Sequence, residues 1–199
     1  MGKMVAPNKG SNFLFKIITK ILADRLSTIA SPIVCPNQFG FIRGRRIHEC
    51  IAMASEAVNQ LERKNGSRNM IVKLDIKKAF DAMSWNFIIT VLKSFGFDEK
   101  FRDWILAIFK SAIISILHNG SPFGLFRCSK GIRQGDPLSP LLFGIAEDFL
   151  SRYMLKLCEL KVFAPCTSSR HCFFPSHLFY ADDVPFFWRA SKKKKTFSH

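Results

Sequence analysis

Near the start of the chain, apolar residues recur at helical spacing: Leu14, Ile17, Ile18, Ile21, Leu22, Leu26 and Ile29, with Lys16, Lys20 and Arg25 between them. A period near 3.6 predicts an amphipathic helix over 13–30, ending near Ser31-Pro32 because a proline disfavours helix in the residue before it. Turn formers and positive charge cluster from Pro36 to Arg46, which reads as a basic loop. A second helix follows from Ile47 to about Lys64, and Asn65-Gly66 breaks it. Met70 to Ile76 is a short apolar run with a β-branched centre, a buried strand that delivers Asp75 near its end. Ser84 and Asp98 are placed to cap two helices, one carrying Trp85, Ile88, Leu92 and Phe95, the next Phe101, Ile105 and Ile108. Asn119-Gly120 between the runs 113–118 and 123–128 predicts a tight hairpin. A loop over 131–136 leads into a helix over 141–157, since Pro137 and Pro140 fit only before or within a first turn. Lys161 to Ser176 is irregular. His177 to Trp188 joins two apolar runs at Asp182-Asp183, a hairpin with carboxylates at its tip. No internal repeat interrupts this order, and the economical count is one α+β unit, with helices packed on one face of an antiparallel sheet.

Composition adds a partner. The 199 residues are 48% hydrophobic, enough for a sizeable core, and thirty Lys and Arg against fifteen Asp and Glu leave a formal charge of +15. Such an excess attracts a polyanion through phosphate contacts and counterion release, so nucleic acid is the first partner to consider, ahead of a membrane surface. The six cysteines form no C-x-x-C pair and read as reduced thiols. Cys166, His171, Cys172 and His177 have spacings that fit neither a zinc finger nor a zinc knuckle. No apolar span of about 20 residues is present, and no basic, apolar and cleavable leader begins the chain. These features predict a soluble intracellular protein, nuclear or cytoplasmic, with no membrane contact.

In a chain so short of acid, Asp75 at the end of one strand and Asp182-Asp183 between two others need an explanation. Carboxylates at adjoining strand ends repel unless a cation lies between them, and hard oxygen ligands suit Mg²⁺. Two such ions are the usual device for phosphoryl transfer. Acids in exposed turns are the alternative, because three residues distant in sequence need not meet.

Three segments carry a resemblance. Lys73-Leu74-Asp75-Ile76-Lys77-Lys78-Ala79-Phe80-Asp81, Gly131-Ile132-Arg133-Gln134-Gly135-Asp136-Pro137-Leu138-Ser139-Pro140 and Phe179-Tyr180-Ala181-Asp182-Asp183 resemble, in order and spacing, the catalytic motifs of the reverse transcriptases of non-LTR, LINE-type retrotransposons in their plant-like form. Residues 16–26 and Asn37-Gln38-Phe39-Gly40-Phe41 resemble the fingers of that family. The resemblance implies a fingers and palm fold, 1–70 fingers-like and 71–190 palm-like with a basic tail at 191–199, the thumb missing. It implies RNA-directed DNA polymerase activity on an RNA template and DNA primer with deoxynucleoside triphosphates, supported by two Mg²⁺ ions or by Mn²⁺. Asp75 and Asp182 would hold metal, with Asp183 and the Ile76 carbonyl beside them. Phe80 would stack under the incoming sugar and exclude a ribose hydroxyl, Gln134 and Gly135 would touch the nucleotide and template, and Arg43, Arg45 and Arg46 would lie along nucleic acid.

Two positions depart from the pattern: Ala6 stands where the family carries arginine, and Pro185 falls in the second strand of the catalytic hairpin, where it cannot donate a ladder hydrogen bond. With the missing thumb, these departures suggest a decayed copy. A catalytically silent basic fragment that still grips nucleic acid is therefore the competing expectation. Another palm-type nucleotidyl transferase or cyclase is a third, disfavoured by the Gly131–Pro140 segment.

Overall fold

A computed structural model describes residues 3–5, 9–62, 69–119, 121–166 and 175–189. The departure at Ala6, the break at Asn65-Gly66, the pair His171 and Cys172, and the basic tail lie outside the described residues. In chain order the elements are β1 (Lys3–Val5), α1 (Lys9–Ile33), α2 (Ile47–Glu62), β2 (Asn69–Asp75), α3 (Ala79–Ala82), α4 (Trp85–Ser94) and α5 (Glu99–Lys110). They continue with β3 (Ile113–His118), β4 (Ser121–Arg127), α6 (Ser139–Glu159), β5 (Ala164–Pro165) and β6 (Asp183–Arg189). Contacts divide the chain into two compact units, each discontinuous in sequence: Met1–Ile33 with Lys78–Ala146, and Val34–Lys77 with Glu147–His199.

In the first unit α1 extends past the expected stop and includes Pro32 in its last turn. So close to the end, proline forfeits a single backbone bond, which the helix tolerates. Ser84 and Asp98 cap α4 and α5 as their positions predict, accepting from the backbone N–H groups of Phe87 and Lys100. The hairpin β3–β4 forms with Asn119 in the left-handed region at φ 49°, and β1 pairs with the other edge of β3. Trp85 donates its indole N–H to the Gly131 carbonyl at 2.7 Å and stacks on Phe109, fixing the loop before α6 to α4 and α5.

The second unit is built on an antiparallel sheet in the order β2-β6-β5. Alternation along the strands decides its two faces. Val184 and Phe186 pack with Met154, Leu150 and Leu157 of α6 and with Phe179. On the opposite face Ile71 and Phe187 meet Cys50, Ala54 and Ala57 of α2 together with Phe39 and Leu178. Helical packing thus extends beyond the single face expected, because both faces of β6 are apolar. Among the described residues no helix is long and apolar enough to cross a membrane.

The final hairpin is shorter than its sequence suggests. His177 and Tyr180 bridge to Phe186 and Asp183, but the long partner of β6 is β2, in register from Asn69↔Arg189 to Asp75↔Asp183. That arrangement explains how Pro185 is accommodated. Its carbonyl accepts from the Leu178 N–H at 3.1 Å, so the missing amide donor also points toward the 177–180 segment, away from β2. The β2–β6 ladder uses the alternate residues and loses nothing.

Candidate active site

Strand register places the acids. Asp75 ends β2 directly opposite Asp183, the first residue of β6, and the Ile76 N–H donates to the Asp182 carbonyl at 3.1 Å. Asp75 and the adjacent Asp182 and Asp183, more than a hundred positions later, thereby share one end of a strand pair. Tyr180 and Asp183 exchange both backbone hydrogen bonds, closing a two-residue turn of Ala181 and Asp182, with Ala181 at φ 54°. A non-glycine residue at positive φ is held against a cost of about 1–2 kcal/mol, so the surroundings must over-determine the turn.

They do so through the segment 37–40. The Phe39 N–H donates to the Phe179 carbonyl and the Phe179 N–H to the Asn37 carbonyl, both at 2.8 Å. Gly40 then lies against the turn itself: a Cβ added there would stand 2.5 Å from the Ala181 nitrogen. The buried Gln38 side chain accepts from the Gly40 N–H at 3.0 Å and donates to the Glu147 carboxyl at 2.9 Å. Glu147 is 5% exposed, its second oxygen Oε1 has no hydrogen-bond partner among the described residues, and burial, with a smaller contribution from the Asp182 charge, pushes its carboxyl up to about 8. Gly40→Ala is expected to displace the turn that carries Asp182, whereas Gly44→Ala, in open space at φ 85°, costs only about 1–2 kcal/mol of backbone strain. Calorimetric melts and hydrogen exchange of the two variants separate these effects: Gly40→Ala speeds exchange at the Phe179 and Asp183 amides, and Gly44→Ala lowers the melting temperature alone.

Asp75 and Asp182 are exposed, and Asp183 is half-buried. Lys73, on the Asp75 face of β2, reaches diagonally to Asp183 at 2.8 Å. Its ammonium is held above the usual lysine range, first by the hydrogen bond to Asp183 and further by Asp75 and Asp182. All three carboxylates thus act on one point of positive charge. The donor set is all oxygen, anionic and solvent-accessible, which fits a hard divalent cation. Among the described residues, however, no three His, Cys, Asp or Glu side chains converge closely enough to form a metal-binding cluster.

The remaining expected site residues divide between the units. Phe80 belongs to the first, half-buried, with its ring stacked on Phe143 at 4.4 Å and 9°. In the same unit the exposed Gln134 donates to Asp81 at 3.3 Å, and Gly135 adopts φ 84° with open space where a Cβ would project. Gly131 fixes that loop: a Cβ there would lie 2.8 Å from the Asp81 carbonyl oxygen. The arginines belong to the second unit. Arg43 and Arg46 are exposed, whereas the Arg45 guanidinium donates to the carbonyls of Val34, Cys35 and Gln38. Arg45 therefore holds the basic loop together from inside. Sequence reading missed Gln38, Gly40, Lys73 and Glu147 as contributors to the site; the one local signal was the Glu147-Asp148 pair, polar in the apolar run of α6. Asp148 is structural, accepting from the Cys35 N–H and pairing with Arg152.

The fold is that of a polymerase palm with its associated elements. It resembles telomerase from Candida albicans with a TM-score of 0.57 over 87% of this chain and 30% of that one, at 12% identity, and apo telomerase from Candida tropicalis with a TM-score of 0.52. The chain belongs to the reverse transcriptase (RNA-dependent DNA polymerase) family, whose model matches residues 10–197. Among curated relatives, the Pol polyprotein of the type-1 retrotransposable element R2 from Popillia japonica is 37% identical over 46% of the chain. The transposon TX1 149 kDa protein from Xenopus laevis is 27% identical over 76%. The chain spans only 15% and 12% of the length of these two relatives. These findings bear out the resemblance to non-LTR retrotransposon reverse transcriptases drawn from the three motifs.

Proposed function

We propose that this chain carries the fingers (1–70) and palm (71–190) portions of an RNA-directed DNA polymerase of a non-LTR retroelement, extending a DNA primer on an RNA template with deoxynucleoside triphosphates. The observation that carries this reading is the meeting of Asp75, Asp182 and Asp183 at one end of the β2–β6 pair, inside a chain whose family match runs almost its full length. Asp75 and Asp182, with Asp183 and the Ile76 carbonyl, would hold two Mg²⁺ or Mn²⁺ ions. When bound, the ions supply Lewis-acid activation of the primer hydroxyl and stabilisation of the departing pyrophosphate.

The chain's own residues supply the rest. Phe80, stacked on Phe143, would offer the incoming sugar a large flat side chain, the kind that excludes a ribose 2′-hydroxyl. Gln134 offers an amide and Gly135 a bare backbone to nucleotide and template. Arg43 and Arg46, both exposed, would meet phosphates, and Arg45 orders the loop that carries them.

The formal charge of +15 and the exposed Arg43 and Arg46 favour a second reading, in which the basic surface grips nucleic acid without synthesis. Primer extension on an RNA template, with Mg²⁺ or Mn²⁺, separates the two. The polymerase reading expects metal-dependent incorporation of deoxynucleotides with strong discrimination against ribonucleotides. Salt-sensitive binding of the primer–template with no incorporation in either metal selects the silent fragment.

A further inference from the structure

We propose that Gln38 and Glu147 are positioning residues for the acidic turn: together they form a buried clamp that fixes the segment 37–40, and through it the placement of Asp182. The inference rests on the polymerase reading only where it concerns catalysis; the clamp itself is a property of the second unit.

Its geometry is continuous from helix to carboxylate. Glu147, on α6, accepts from the Gln38 amide at 2.9 Å. The oxygen of the same amide accepts from the Gly40 N–H at 3.0 Å. Gly40 stands against the Ala181 nitrogen so closely that no side chain fits between them. Ala181 and Asp182 are the two central residues of the turn. Gln38 is fully buried and bridges in parallel to Phe179, which leads into the turn. A buried amide with both ends engaged has one orientation, so it transmits the position of α6 to the Gly40 peptide. Ala181 at positive φ is the strained element this support holds in place. Groups that orient metal-binding carboxylates from behind typically change affinity about 10- to 100-fold when removed.

Gln38→Met removes both ends of the amide at similar volume, and Gln38→Asn keeps an amide but shortens its reach. Both are expected to speed hydrogen exchange at the Phe179 and Asp183 amides about 10-fold or more, and to weaken Mn²⁺ binding about 10-fold. Amides of α4 in the other unit stay unchanged. Glu147→Ala is expected to match these effects, Glu147→Gln to retain the wild-type turn, and the Gln38→Met/Glu147→Ala double variant to be no worse than either single change. Unchanged exchange at the turn in both Gln38 variants would overturn the proposal, as would a uniform acceleration throughout the second unit or additive effects in the double variant. The exchange measurement decides the clamp even if the wild-type chain binds no Mn²⁺, an outcome that would instead count against the polymerase reading.

Discussion

Asp182→Asn is expected to reduce metal-dependent nucleotide incorporation by about 10³-fold or more while leaving the fold intact. The substitution is nearly isosteric, and the bonds that close the turn, between Tyr180 and Asp183, belong to the backbone. What is lost is an anionic oxygen at the end of the β2–β6 pair, where a neutral amide cannot replace its charge toward a hard cation. Asp75→Asn should behave alike. Asp183→Asn is expected to be milder, because Asp183 is already engaged by Lys73. A second signature needs no catalysis: the Asp182 charge contributes to the raised carboxyl of Glu147, so Asp182→Asn lowers the Glu147 titration, measurable by carboxyl-carbon NMR. Incorporation rates and that titration are to be measured on the same preparations. Retention of near wild-type synthesis by Asp182→Asn would remove the metal role from this residue.

Why some of this was legible in sequence and some was not follows from where each signal resides. Caps and turns are local: Ser84, Asp98 and the Asn119 turn act within a few residues, and α4, α5 and the β3–β4 hairpin form where their patterns predict. The three acids were legible because strands ending in carboxylates are rare in so basic a chain, and because the motifs around them resemble a known family. Pairing partners were not. β6 reads as half of a hairpin with 177–180, yet its long neighbour is β2, more than a hundred positions earlier, and that choice is also what makes Pro185 harmless. Arg45 shows the same limit: charge in a loop suggests nucleic acid, but three carbonyls left by the chain as it exits α1 claim its guanidinium. Gln38 and Glu147 lie 109 residues apart, and no periodicity links a loop amide to a helix carboxyl.

The buried pair Glu147 and His177 gives the stability of the second unit a defined dependence on pH. Burial raises the Glu147 carboxyl from 4.5 to about 8, so its contribution is fully present below pH 4.5 and is lost as pH rises through 8. At about 1.4 kcal/mol per unit the loss amounts to up to about 5 kcal/mol, a large part of a typical folding free energy. His177, fully buried against Ser151 and Ser176, is lowered by burial from 6.5 to about 4. Its contribution is present above pH 6.5 and lost as pH falls through 4. Between pH 4.5 and 6.5 the two slopes oppose each other and stability is flat; above 6.5 only Glu147 acts, and stability falls by about 2 kcal/mol by pH 8. Glu147→Gln abolishes that fall, because an amide keeps an acceptor for Gln38 and has no charge to bury. Urea unfolding of the wild-type and variant chains from pH 5 to 8.5 measures it, with the gap between them expected to widen steadily above pH 6.5. Parallel curves would mean that Glu147 ionises in the folded protein as freely as in water, and would overturn the dependence argued from its burial.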